Sequence, residues 1–187
     1  MASKPILYSF HLSSCAWWVR IVLALKNVDY EYKTVKLMTP AGGDQVAIME
    51  YLEETYPQPR LLPADPYLRA KTREITELLV SGVQPLQSLG LIPKLGKEEW
   101  QNWAKFYITK GFTALEAIVT ETAGKYCVGD EITLADACLV PQMSNAQRWG
   151  IDVSPFPILL RIYAALEAHP LVKKAHPSCQ PDAQADA

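Results

Sequence analysis

The chain has 187 residues, 49% hydrophobic and 20% charged, a balance that excludes disorder and fibre and leaves room for one or two cored domains. Eighteen Lys and Arg against twenty Asp and Glu give a net charge of −2, and the sequence pI is near 5.9. With no basic run, the chain lacks the electrostatic footprint of a protein that binds nucleic acid or anionic lipid, so neither is expected as a partner.

The first 57 residues alternate strand and helix signals. Pro5 to Phe10 is a short apolar run bounded by turn formers. Cys15 to Lys26 carries Trp18, Val19, Val22 and Leu25 at helical spacing. Tyr30 to Leu37, rich in Tyr, Thr and Val, reads as a second strand. Strand, helix and strand within roughly 30 residues make a βαβ unit with a parallel pair and a right-handed crossover. A breaker follows at Thr39 to Asp44, then a helix from Gln45 to about Thr55 with Val46, Met49 and Leu52 on one face. Pro57, Pro59, Pro63 and Pro66 then forbid regular helix and predict an extended crossing over residues 58–66.

Every later segment reads helical. Asp65-Pro66 is an N-cap followed by proline at the first helical position, opening a helix that runs to about Leu89 with a kink at Gly82 and Pro85. A second helix from about Lys97 to Thr122 packs Trp100, Trp103, Phe106 and Tyr107. A third opens at Thr133-Leu-Ala-Asp136, a capping-box spacing, and ends near Gly150. The last spans about Pro157 to Ala168, and the polar tail from Pro177 reads as frayed. The predicted fold class is therefore α/β plus all-α, with domains at 1–57 and 67–187.

Cys15, Cys127, Cys138 and Cys179 lie far apart in a chain too long to need staples, which implies a reducing compartment without a disulfide framework. The apolar stretch Ala16 to Leu25 contains Arg20 and is too short to cross a bilayer. Lys4 to Phe10 reads as a folded strand rather than a cleaved leader. The chain thus reads as soluble and cytoplasmic, with mitochondria as the alternative.

The sharpest chemical feature is Ser13-Ser14-Cys15 between a strand and an amphipathic helix. A helix N-terminus presents unpaired N–H groups and partial positive charge, which stabilise a thiolate. Two hydroxyls and a thiol there suit a site that activates a sulfur nucleophile. The plainer reading is a serine N-cap followed by a half-buried cysteine. Dithiol exchange needs a second cysteine two residues away, but Leu12 and Trp18 flank the site. His176 and Cys179 have loose metal-ligand spacing, yet one pair cannot fill a tetrahedral site, and no metal is expected.

Ser13-Ser14-Cys15-Ala16-Trp17, with Val19-Arg20-Ile21 and Ala24-Leu25-Lys26, resembles the signature of the zeta class of glutathione transferases, the maleylacetoacetate isomerases. The likeness continues through residues 47–55, 60–63, Gln84-Pro85-Leu86-Gln87, 126–131, Ala135 to Gln142, Asn145-Ala146, His176-Pro177 and Gln180-Pro181-Asp182. The resemblance implies a thioredoxin-like N-terminal domain that binds glutathione, a helical C-terminal domain and a homodimer. It implies that Ser14 hydrogen-bonds the glutathione sulfur. Ser13, Cys15, Ala16 and Trp17 would line the same pocket, joined by Gln45, Gln84 and Ser88. The implied reaction is glutathione-dependent cis–trans isomerisation of maleylacetoacetate to fumarylacetoacetate, in tyrosine and phenylalanine catabolism. Transferase activity on small α-halo acids would use the same sulfur.

The chain departs from that pattern in three places. A thioredoxin-like domain needs roughly 75 to 80 residues by element counting, and the first 57 fall short. The sequence passes from Leu37 through a Gly-Gly turn directly to Gln45, which predicts a shortened domain with an uncovered sheet edge and apolar face. Leu12 and Trp18 stand where the family often has arginine, leaving Arg148 as the candidate partner for a substrate carboxylate. Ser88 and Gly90 stand where the family tends to have more polar side chains. The alternative to an active enzyme is an internally deleted, catalytically impaired isoform acting as a binding or dimerising module. A monothiol redox sensor built on Cys15 is a third reading.

Overall fold

The computed structural model describes residues 4–35 and 45–184. The predicted breaker at Thr39 to Asp44 lies outside the described residues. Strand β1 (Ile6–Ser9) pairs in parallel with β2 (Glu31–Thr34), Ile6 opposite Glu31 and Ser9 opposite Thr34, across helix α1 (Ser14–Leu25). This is the predicted βαβ unit. β1 stops before Phe10 because the Phe10 carbonyl turns to accept the Ser13 N–H at 3.0 Å. Among the described residues the sheet has these two strands. Ile6 and Tyr8 on β1 remain 45% and 63% exposed, which is the uncovered apolar surface a shortened sheet leaves.

Apolar side chains occupy most faces of α1, and residues 17–23 are all buried. Helix α2 (Gln45–Thr55) packs on α1 through Met49 and Leu52. The end of α1 is tied down by Lys26, whose buried Nζ donates to the Tyr56 and Pro59 carbonyls at 2.6 and 3.0 Å and pairs with Glu53 at 2.7 Å. A buried ammonium is tolerable only with such full pairing.

Helix α3 (Pro66–Val80) begins as predicted, the Asp65 carboxylate accepting the Leu68 N–H at 2.9 Å. It does not run to Leu89. It ends at Val80, and the chain continues through 3₁₀ turns at Gln84–Gln87 and Leu89–Leu91 into the short α4 (Ile92–Leu95). Pro85 has no N–H to extend the helix. Val83 is folded against α5 (Lys97–Thr122), where a Cβ on Gly111 would lie 2.2 Å from Val83 Cγ2. Glycine at 111 is thus a packing requirement.

Helix α6 (Leu134–Arg148) starts from the predicted capping box: the Asp136 carboxylate accepts from the Thr133 N–H and hydroxyl, both at 2.8 Å, and from the Cys127 N–H at 2.9 Å. Burial raises the Asp136 pKa, and these donors oppose that shift. Helix α7 (Pro157–Ala168) begins where Glu116 of α5 accepts the Ile158 and Leu159 N–H groups at 2.8 and 3.0 Å, a carboxylate on a positive helix end.

The C-terminal tail corrects the sequence reading. Helix α8 (Pro170–Lys174) packs on α1, and 3₁₀ turns follow at Pro177–Cys179 and Pro181–Gln184. Far from frayed, Gln180 and Asp182 are each only 6% exposed. Tertiary contacts group Met1–Arg60 with Glu167–Ala187, and Leu61–Leu166 form the second unit. By these contacts the tail groups with the βαβ half, whereas the sequence reading placed it within 67–187. A hydrogen bond from Arg20 to the Ala175 carbonyl and one from the His11 N–H to Asp182, both invisible to periodicity, draw it there.

Candidate active site

Ser13 is the N-cap of α1: its backbone is extended and its Oγ accepts the Ala16 N–H at 3.2 Å. The plainer reading of this serine is therefore realised. Ser14 and Cys15 are the first two residues of the helix, both half-buried, with N–H groups in the turn where a helix has no internal acceptor. Burial pushes the Cys15 pKa up to about 11, and the neighbouring Ser14 hydroxyl opposes that shift. Near neutrality Cys15 is a protonated thiol that can donate a hydrogen bond, not a nucleophile. An upward shift of the Cys15 thiol counts against the monothiol redox-sensor reading. Trp17 is turned inward, 5% exposed, with its ring edge-on to His176 at 5.1 Å. Gln45 is the half-buried first residue of α2.

The loop that delivers Ser13 and Ser14 is held from two directions. Arg20, 1% exposed, donates from Nη1 to Ser9 Oγ and the Phe10 carbonyl at 3.0 and 3.2 Å, and from Nη2 to the His11 carbonyl at 3.0 Å. The Asp182 carboxylate accepts the His11 N–H at 2.9 Å and the Tyr32 hydroxyl at 2.8 Å. Burial lowers the Arg20 pKa, and Tyr32, Tyr30 and Asp182 oppose that shift. Tyr32 is raised to about 12 by burial and its bond to Asp182, so its hydroxyl stays a donor. The sequence flagged none of these roles. The one available signal was an arginine inside an otherwise apolar helix.

The second unit holds the remaining candidates. A cavity of about 410 Å³ is lined by Trp100, Lys105, Arg148, Trp149 and Ile151, a volume suited to a small organic ligand. Arg148 ends α6 and Lys105 sits on α5, so two cationic residues are among those lining this cavity. Trp100 meets Trp149 edge-on at 5.3 Å, and its indole N–H donates to the Ser88 carbonyl at 3.0 Å. Ser88 and Arg148 are thus brought to one neighbourhood through Trp100, a residue read from sequence only as core. The Ser88 hydroxyl itself caps the Gly90 N–H at 3.2 Å. Gln84 is half-buried at the start of its 3₁₀ turn. Its neighbour Gln87 is the buried glutamine, in a reciprocal amide pair with Gln142 at 2.7 and 3.0 Å. His176 serves a turn: its Nδ1 lies 2.7 Å from Ser178 Oγ.

Residues 93–175 match the family described as glutathione S-transferase, C-terminal domain. A mouse maleylacetoacetate isomerase is 47% identical over 212 aligned positions, covering 99% of this chain and 98% of the relative. A crystal structure of maleylacetoacetate isomerase from Anaeromyxobacter dehalogenans 2CP-1 with bound glutathione in its active site superposes with a TM-score of 0.90 at 38% identity, covering 95% of this chain and 97% of that one. The same bacterial enzyme with bound dicarboxyethyl glutathione and citrate gives a TM-score of 0.91 at 39% identity, covering 95% of this chain and 93% of that one. The chain belongs to the maleylacetoacetate isomerase family, the zeta-class glutathione transferases. Because 212 aligned positions exceed the 187 residues present, at least 25 positions of the mouse relative have no counterpart here.

Proposed function

We propose that this chain is a glutathione-dependent cis–trans isomerase acting on maleylacetoacetate, in tyrosine and phenylalanine breakdown, with transfer to small α-halo acids as a side activity of the same site. The observation that carries the reading is the helix start itself. Burial pushes the Cys15 pKa up to about 11, so the sulfur nucleophile at Ser14 is assigned to a bound ligand rather than to Cys15. The residues present fit glutathione, which supplies a sulfur that adds reversibly to the conjugated cis double bond, lets the resulting single bond rotate and is expelled as the trans isomer forms. The Ser14 hydroxyl donates to that sulfur and, with the Ser14 and Cys15 N–H groups, favours its ionised form. The Cys15 S–H adds a donor. Ser13 fixes the helix start rather than touching the sulfur. Gln45, Gln84 and Ser88 are assigned to binding glutathione. Arg148, supported by Lys105, holds a substrate carboxylate, since a guanidinium presents the paired donors that a carboxylate accepts. Four free thiols agree with a reducing, cytoplasmic setting.

The test is glutathione-dependent conversion of maleylacetoacetate by the purified 187-residue chain. Turnover that vanishes without glutathione supports the reading. No turnover, together with no thermal stabilisation by millimolar glutathione, overturns it, because any ligand of the native state alone must raise stability.

A second reading is favoured by the two-stranded sheet and the at least 25 unmatched positions: a module that has lost catalysis and pairs with a full-length relative as the family's dimer. A mixed oligomer in native mass spectrometry would support it; its absence would count against it.

A further inference from the structure

We infer that Asp182, in the C-terminal tail, is a positioning residue for the Ser13–Ser14 helix start, acting through the backbone of His11. The inference rests on the reading of Ser14 as the group that meets the glutathione sulfur. Both backbone polar groups of His11 are held by side chains from outside the loop: its N–H by Asp182 Oδ2 at 2.9 Å and its carbonyl by Arg20 Nη2 at 3.0 Å. Only Leu12 separates this clamped residue from Ser13, the helix cap.

The second oxygen of Asp182 accepts the Tyr32 hydroxyl of β2 at 2.8 Å, so one carboxylate bridges the catalytic loop and the sheet. The tail is itself tied back. Gln180 Nε2 donates to the Lys174 and His176 carbonyls at 3.2 and 2.9 Å, and Arg20 Nε donates to the Ala175 carbonyl at 3.3 Å. Asp182 is 6% exposed and His11 7%. Removing the carboxylate would leave a buried N–H without its acceptor, and the loop would relax toward water. A displacement of about 1 Å at a reacting group is enough to cost catalysis heavily, on the order of 10²-fold.

The experiment compares wild type with Asp182→Ala, Asp182→Asn and Tyr32→Phe. Amide hydrogen exchange on unliganded protein reads the loop directly. In Asp182→Ala, exchange over residues 11–16 should quicken at least tenfold while the interior of α1 keeps its protection; Asp182→Asn, which retains a carbonyl acceptor, should restore part of it. In the pH profile of isomerisation, the acidic limb of kcat should move up by about one unit. A loosened helix start stabilises the bound thiolate less, so activity returns at higher pH. Mere loss of folded protein would scale the whole profile without moving it.

Unchanged exchange and an unshifted profile in Asp182→Ala would overturn the inference. Should Asp182→Ala fail to fold, Tyr32→Phe decides. It deletes one bond to the carboxylate and should give the same changes in smaller measure; no change contradicts the inference. A wild type without glutathione-dependent turnover would instead defeat the functional reading, and the exchange comparison would still judge the clamp.

Discussion

Arg20 Nε donates to the carbonyl of Ala175 at 3.3 Å across 155 positions of sequence. The same guanidinium binds Ser9, Phe10 and His11, so one buried cation joins the tail to the loop before α1. Arg20→Leu would strip a charged donor from several buried acceptors. Since a hydrogen bond to a charged group contributes roughly 1.5–3 kcal/mol and neighbouring losses do not add, we expect destabilisation of about 2–4 kcal/mol in urea unfolding. Arg20→Lys should recover little, because an ammonium cannot reproduce the planar fork. A loss under about 0.5 kcal/mol would contradict the assignment.

Gln87 and Gln142 exchange amide hydrogen bonds in a buried pair. Gln142→Leu leaves the Gln87 amide buried and unsatisfied, with an expected cost of about 1–3 kcal/mol. Leucine at both positions removes donor and acceptor together and should be less destabilising than the sum of the single changes. A double-mutant cycle with no coupling would contradict this.

Cys15 gives a pH dependence. Its folded-state pKa, raised to about 11 from an ordinary 9.0, means that the native state holds the proton more tightly than the unfolded chain does. Its contribution to stability is complete below about pH 9 and is lost as pH rises through 11. Iodoacetamide should modify the exposed Cys179 first and Cys15 slowly at pH 8, with the Cys15 rate still climbing above pH 10. A Cys15 rate that levels off near pH 7 would refute it.

Arg148→Ala should raise KM for a dicarboxylate substrate by roughly 10- to 100-fold, the scale of one charge-assisted carboxylate contact. Turnover of an uncharged electrophile with glutathione should be unaffected. Steady-state kinetics on the two substrates separate these outcomes, and equal losses on both would remove Arg148 from substrate binding.

The parts of the fold written in local chemistry were legible. Asp65-Pro66 and Thr133 with Asp136 announce their helices because capping requires particular side chains at fixed offsets. The stop at Val80 was not, since an apolar pattern continues past it and Val83 meets Gly111 only after folding. At the site, Ser13, Ser14 and Cys15 were legible from their place between strand and helix. The proton on Cys15 was hidden, because burial sets it. Arg148 was found as a residual cation, but its companions Trp100, Lys105 and Trp149 come from separate helical segments and meet only in the tertiary structure. The tail was misread because polar composition usually means fraying. Asp182 and Gln180 are polar for the opposite reason: each satisfies buried backbone groups.

On the proposed function, the start of α1 binds glutathione and ionises its sulfur through Ser14. The most direct measurement is the ultraviolet difference absorbance of the glutathione thiolate, titrated with glutathione into wild type and Ser14→Ala at pH 6 to 9. A saturable thiolate band is expected in wild type at pH 7, and Ser14→Ala should lose it until the pH approaches that of free glutathione ionisation. An equal band in both proteins, or none in wild type at millimolar glutathione, would contradict it.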